Sequence, residues 1–153
     1  MNKKYITITL SIIVLAFIIS GCTNSADTPA TKNGEDLMSK APAAEKIEVV
    51  HFHGTQQCWS CKTVGEYALK TIEDKFSDEY RNNIIVFKDI NADLEENSEI
   101  VAKYQARGSS LFINVIINGQ DNIAEDTKVW RLVSDEVKYI DYFGNKLNGY
   151  LDK

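Results

Sequence analysis

Apolar residues fall along this chain in blocks of different period. An apolar run covers Tyr5 to Ile19, and from Thr23 to about Lys46 the chain turns small and polar with no apolar periodicity. That second stretch reads as a tether and holds both prolines, Pro29 and Pro42. Ile47-Glu-Val-Val-His-Phe-His53 is apolar and β-branched, which predicts a buried strand ending at Gly54. From Cys61 onward, Val64, Ala68, Ile72 and Phe76 recur at helical spacing, with Glu66 one turn before Lys70 on the outer face, until Asn82-Asn83. Ile84 to Phe87 predicts a second strand, and Asp93 to Tyr104 a helix with Ile100, Val101 and Tyr104 inward. A β-α-β unit of this kind is right-handed with parallel strands.

Past Gly108, Leu111 to Ile117 predicts a third strand, and Asn118-Gly119 supplies the positive-φ positions of a tight hairpin. The apolar segment Val129 to Val133 is the expected hairpin partner, with Trp130 as core or edge packing. Ser134, followed by Asp135 and Glu136, predicts the N-cap of a last helix whose apolar side is Val137, Ile140, Leu147 and Leu151. Gly144 within that helix costs about 1 kcal/mol relative to Ala and points to close packing or a weak point. The predicted order is β-α-β-α-β-β-α, an α/β domain over residues 47–153 with one core.

The apolar run near the N-terminus changes where this domain is expected to work. Lys3 and Lys4 precede it and Ile19-Ser20-Gly21-Cys22 follows it, an arrangement that reads as an export signal over residues 1–21. The tetrapeptide resembles the lipobox of prokaryotic lipoproteins. That resemblance implies lipidation of Cys22, a lipidated N-terminus and tether over residues 22–46, and a domain on the extracytoplasmic face of the cell membrane. Each buried acyl methylene contributes about 0.8 kcal/mol, so two or three chains suffice to anchor a small domain. The alternative is an uncleaved anchor helix. The formal charge is −5, and losing Lys3 and Lys4 with the leader takes it to −7. Such an acidic chain without a basic face argues against a nucleic-acid partner.

Three cysteines are present, so lipidation of Cys22 leaves only Cys58 and Cys61. They stand three apart where the strand pattern gives way to a helical one. Free backbone N–H groups and the dipole at a helix start favour a thiolate, which makes Cys58 the expected nucleophile. A structural staple is the competing reading in an export compartment. A four-residue loop contributes roughly 2 kcal/mol against nearly 5 for a 100-residue loop, so this pair is poorly placed for stabilisation.

A strand feeding Cys58-Trp-Ser-Cys61-Lys62, then βα, a hairpin and a closing helix, resembles the thioredoxin superfamily from about Val49 to Leu151. Tyr104-Gln-Ala-Arg-Gly108, followed by a strand and Asn118-Gly119, resembles its second half. The resemblance implies a thioredoxin-like fold, a central four-stranded mixed sheet flanked by helices. It further implies a thiol–disulfide oxidoreductase with no cofactor beyond its own disulfide, in which Cys58 attacks a partner disulfide and Cys61 resolves the mixed disulfide. Expected partners are exported protein thiols and disulfides and a membrane thiol electron carrier. Trp59 and Ser60 between the cysteines influence poise, and an exposed Trp59 offers a rigid apolar surface to a partner or simply covers the helix start.

Two departures from the family stand out. Thioredoxins carry a cis-proline ahead of the third strand, and here Ser109-Ser110 falls at that place. Thioredoxins also hold a buried acid in the first strand as proton acceptor for the resolving cysteine. One extra residue in the Gly54 to Gln57 loop puts His51 there, and otherwise Phe52 takes the position. His51 and His53 share one strand face leading toward the dithiol, either as titrating groups or as buried neutral side chains. Together with Cys58 and Cys61 they also compose a Cys2His2 set for zinc or copper, so metal binding or delivery is the alternative function.

Overall fold

The structure, a computed structural model, describes residues 43–151; the leader, Cys22 and most of the tether lie outside the described residues. Four strands form one mixed sheet: β1 (Lys46–His53), β2 (Ile85–Asn91), β3 (Ser110–Ile117) and β4 (Gln120–Glu125). Their spatial order is β2-β1-β3-β4, with β1 parallel to β2 and antiparallel to β3. Helices α1 (Trp59–Lys75), α2 (Ser77–Arg81), α3 (Ser98–Tyr104) and α4 (Glu136–Leu151) complete the thioredoxin-like α/β fold that the sequence predicts. Among the described residues no helix is long and apolar enough to cross a membrane.

Strand alternation sorts β1 between two cores. Ile47 and Val49 face a cluster built with Val64, Ala68 and Ile72 of α1, Phe76 at its C-cap, and Tyr139, Phe143 and Leu147 of α4. Val50 and Phe52 face the other side, where Tyr104 and Phe112 close a smaller cluster against α3. The four residues expected on the inner face of α1 are all buried. Outside, Lys70 pairs with Asp74 at 2.7 Å rather than with Glu66. Helix α1 stops at Phe76, whose backbone leaves helical angles, and α2 completes the turn toward β2.

Three expectations need correction. The hairpin partner is β4, not Val129–Val133. Asn118 and Gly119 both take positive φ, at 52° and 70°, in a two-residue turn that leaves the partner strand no choice but to begin at Gln120. The Glu45 carboxylate accepts both turn amides, at 3.0 and 3.1 Å. Strand β4 reads Gln-Asp-Asn-Ile-Ala-Glu and is an exposed edge, so it carries almost no apolar signal. Val129 and Trp130 lie instead in a 3-10 turn, Thr127–Arg131, where Val129 is fully buried and Trp130 packs against the larger core. The cap of α4 is Asp135, whose Oδ1 accepts the Lys138 amide at 3.1 Å, rather than Ser134. Val137 is 70% exposed, and the buried stripe of α4 runs through Tyr139, Phe143, Gly144 and Leu147. The close neighbour of Gly144 is the Lys75 side chain at the end of α1.

Candidate functional site

Strand β1 ends at His53, and the loop from Gly54 carries the chain onto the start of α1. The loop is pinned at Thr55, whose amide donates to Asp93 Oδ2 at 2.7 Å. Cys58 is the N-cap residue, extended at φ −72° and ψ 166°, and its Sγ accepts the Cys61 amide at 3.2 Å. One orphan donor of the helix start is therefore aimed at the sulfur, where the helix dipole also favours negative charge. The first turn of α1 holds no acidic residue to oppose it. Cys58 and Cys61 form a disulfide with Cα atoms 5.1 Å apart. Cys58 is exposed and Cys61 half-buried, which fits attack from outside by the first sulfur and resolution from within by the second. Trp59 stands 64% exposed beside them, and Ser60 is half-buried.

Beneath the dithiol, His51 and not Phe52 faces α1; Phe52 belongs to the opposite core. The His51 ring is 2% exposed and lies against the α1 backbone at Gly65, where an added Cβ would come within 2.4 Å of Nδ1. His51 Nδ1 hydrogen-bonds Asp89 Oδ1 at 2.7 Å, while Nε2 is buried with no hydrogen-bond partner among the described residues. Burial pushes the His51 pKa down, opposed by Asp89 and by the nearby Cys61 backbone, which favours the protonated ring without reaching hydrogen-bond geometry at Nε2.

His53, the next residue on that strand face, has its ring centroid 5.7 Å from that of His51 and its Nε2 3.6 Å from the same Asp89 oxygen. Its Nδ1 lies 2.9 Å from both the Gly54 carbonyl and the Gln57 amide nitrogen. A single ring nitrogen either donates to that carbonyl or accepts from that amide, so one contact holds in each tautomer.

Ser109 and Ser110 lead into β3 beside the end of β1, with Ser110 in register with Phe52. Every described peptide bond is trans. Ser110 is buried, and its hydroxyl donates to the Gly108 carbonyl at 3.2 Å. With the two cysteines joined to each other, neither sulfur is a free thiolate ligand. Among the described residues no set of three or more His, Cys, Asp or Glu side chains is gathered around a metal position.

Asp89 and Gly65 escape the sequence reading. Asp89 is on the edge strand β2, opposite His51 in the parallel register. The dipeptide Lys88-Asp89 looks like the end of a strand that in fact continues to Asn91. The available signal is the period of two from Phe87. Gly65 is hidden because a single helical glycine looks like a cost rather than a fit.

No protein-family model and no curated protein sequence matches the chain. Among solved structures, a thioredoxin from Thermus thermophilus overlaps it with a TM-score of 0.43 at 17% identity, covering 68% of this chain and 76% of that one. A Plasmodium falciparum thioredoxin gives 0.41 at 13% identity, over 74% and 84% of the two chains. The zinc-bound form of human ERp44 gives 0.42 at 22% identity, over 65% of this chain and 26% of that one. The thioredoxin-like fold itself rests on the strand order β2-β1-β3-β4 and on the disulfide at the start of α1.

Proposed function

We propose that this chain is a membrane-tethered thiol–disulfide oxidoreductase acting outside the cytoplasm on exported protein thiols and disulfides. What carries the reading is Cys58 Sγ at the N-cap of α1, receiving the Cys61 amide and already paired with Cys61. In the reducing direction the Cys58 thiolate attacks one sulfur of a partner disulfide, forming a mixed disulfide and expelling a partner thiolate. Cys61, as thiolate, then attacks Cys58 Sγ, forming the internal disulfide and releasing the second partner thiolate. Two electrons pass to the partner, and both partner thiolates are protonated. Oxidation of a partner dithiol is the same sequence reversed. Return to the dithiol requires a thiol donor, for which a membrane thiol carrier is the expected class. The export leader and the Cys22 lipobox support the location.

Redox titration with thiol alkylation and mass shift tests the proposal. Cys58 and Cys61 should cycle as a two-electron pair between about −100 and −300 mV. Cys58→Ser should abolish exchange, Cys61→Ser should accumulate mixed disulfides, and Cys22→Ala should release the chain from membranes. A pair that cannot be cycled in that window overturns the exchange reading.

A further inference from the structure

We propose that Asn118 is a self-modification site: its side chain cyclises onto the Gly119 amide and loses ammonia, Glu45 holds that reaction back, and the carboxylate it creates releases the start of β1 from the hairpin. The site lies at the end of the sheet opposite the dithiol, where the Asn118-Gly119 turn joins β3 to β4 and Lys46 pairs with Ile116. The sequence holds Asn-Gly at three places, residues 33–34, 118–119 and 148–149, so the same dipeptide occurs in different settings. An asparagine amide carbon reaches the backbone nitrogen of the next residue by closing a succinimide ring. A following glycine, lacking Cβ, shields that nitrogen least.

Local structure decides which dipeptide reacts. Asn148 and Gly149 lie inside α4, whose backbone ladder holds the Gly149 amide. Asn118 and Gly119 are exposed and both take positive φ, and a Cβ built on Gly119 meets nothing within 4 Å, so the ring has room to form. What restrains the Gly119 amide is Glu45 Oε2 at 3.1 Å, while Glu45 Oε1 accepts the Asn118 amide at 3.0 Å. A carboxylate is too weak a base to take a proton from an amide, so Glu45 acts as a clasp rather than a catalyst. It occupies the nitrogen that must attack, and its charge opposes the anionic intermediate of attack. The same residue marks where the chain enters the domain: Ala44 donates its amide to the Tyr150 carbonyl at 3.0 Å, and Glu45 donates to the Ile116 carbonyl at 2.9 Å.

The reaction balances with water alone. The Gly119 nitrogen gives up its proton and bonds to Asn118 Cγ, and the side-chain nitrogen leaves as ammonia. Water then opens the succinimide at either carbonyl, giving aspartate or isoaspartate and one new negative charge. That charge arises beside Glu45, where like charges repel. Isoaspartate also adds a methylene to the main chain of a two-residue turn. Both products loosen the clasp. Neither re-forms asparagine in water, so the release runs one way.

Peptide mapping by mass spectrometry of the full-length chain, aged in mildly alkaline buffer, tests the site, with Asn33 as the internal reference. In the wild-type chain, conversion at Asn118 should outpace that at Asn148. Glu45→Ala should raise the Asn118 rate about threefold to tenfold, as for loss of an exposed charge-assisted hydrogen bond, and leave Asn148 unchanged. Conversion at Asn118 no faster than at Asn148 overturns the site, and an unchanged or lower Asn118 rate in Glu45→Ala overturns the guarding role. Release is read by amide hydrogen exchange at residues 44 and 45. Asn118→Asp, which supplies the carboxylate without ageing, should speed both amides by about threefold or more, and should add little in a Glu45→Ala background, where the clasp is already gone. Exchange unchanged by Asn118→Asp overturns the release, as does an acceleration as large without Glu45 as with it.

Discussion

Three helical glycines separate backbone preference from close packing, and replacing each by Ala tests how tightly His51 is seated. In a helix interior Ala is favoured over Gly by about 1 kcal/mol, so each variant starts with a gain. At Gly65 the new Cβ would stand 2.4 Å from His51 Nδ1, 2.9 Å from Cε1 and 3.0 Å from Cγ. The ring is buried and tied to Asp89, so it must be displaced within a packed interior, at about 1–3 kcal/mol for overpacking. Weakening its bond to Asp89 adds about 1.5 kcal/mol, the low end for a charged partner because Asp89 is half-exposed. The net expectation for Gly65→Ala is a loss of about 1.5–3.5 kcal/mol. At Gly144 the nearest atom is Lys75 Cδ at 2.9 Å, the outer part of a flexible side chain that can swing aside. Its exposed pair with Asp141 is worth no more than about 1 kcal/mol, so Gly144→Ala should be close to neutral. At Gly149 nothing lies within 4 Å, and Ala should stabilise by up to about 1 kcal/mol. Urea denaturation of the three variants reads the series. A Gly65→Ala protein as stable as wild type would refute the seating of His51 against α1.

Stability should also fall in two acid windows. His51 is held below 6.5 by burial, so the unfolded chain binds its proton first, and stability present above pH 6.5 is lost as pH falls from there toward the folded value. Burial raises the Glu48 carboxyl, but hydrogen bonds from Lys88, Tyr104 and Asn114 outweigh it and leave it below 4.5, so its stabilisation is lost as pH drops through that lower folded value; pH-dependent urea midpoints should show both steps, the lower one missing in Glu48→Gln. Asp126→Ala should cost about 2–4 kcal/mol in thermal unfolding, because the buried carboxylate accepts from Tyr142, Lys146 and the Lys128 amide and joins α4 to the 3-10 turn. Reduction of the disulfide should lower stability by no more than about 2 kcal/mol, the loop-closure value for four residues; a loss of about 4 kcal/mol or more would mark it as a structural staple.

What was legible in the sequence was what depends on apolar period. The inner stripe of α1, the buried face of β1, the inward residues of α3 and the Asn118-Gly119 turn all declare themselves by spacing or backbone demand. The edge strands do not. Strand β4 is held by its ladder to β3 and by Asn114, which bonds Asp121 and Asn122, so polar residues form it without an apolar alternation. Strand β2 continues past Phe87 because it pairs with β1, and its exposed side tolerates Lys88 and Asp89. The same loss of signal hides the site. Cys58, Cys61 and His51 are visible because their residue types are chemically distinctive, whereas Asp89 and Gly65 matter only through a register and a contact that no local pattern encodes.

The imidazole at the base of the site has a physical logic that ties these residues together. A buried carboxylate pays heavily for desolvation, and a neutral imidazole at the same strand position does not. An imidazole is also bulkier, which the missing Cβ of Gly65 accommodates. The negative charge beside it belongs to Asp89 on the edge strand, where water screens it. Under the proposed exchange, a Cys58 thiolate at the helix start would therefore meet no fully buried anion at the His51 position, among the described residues, to oppose its charge.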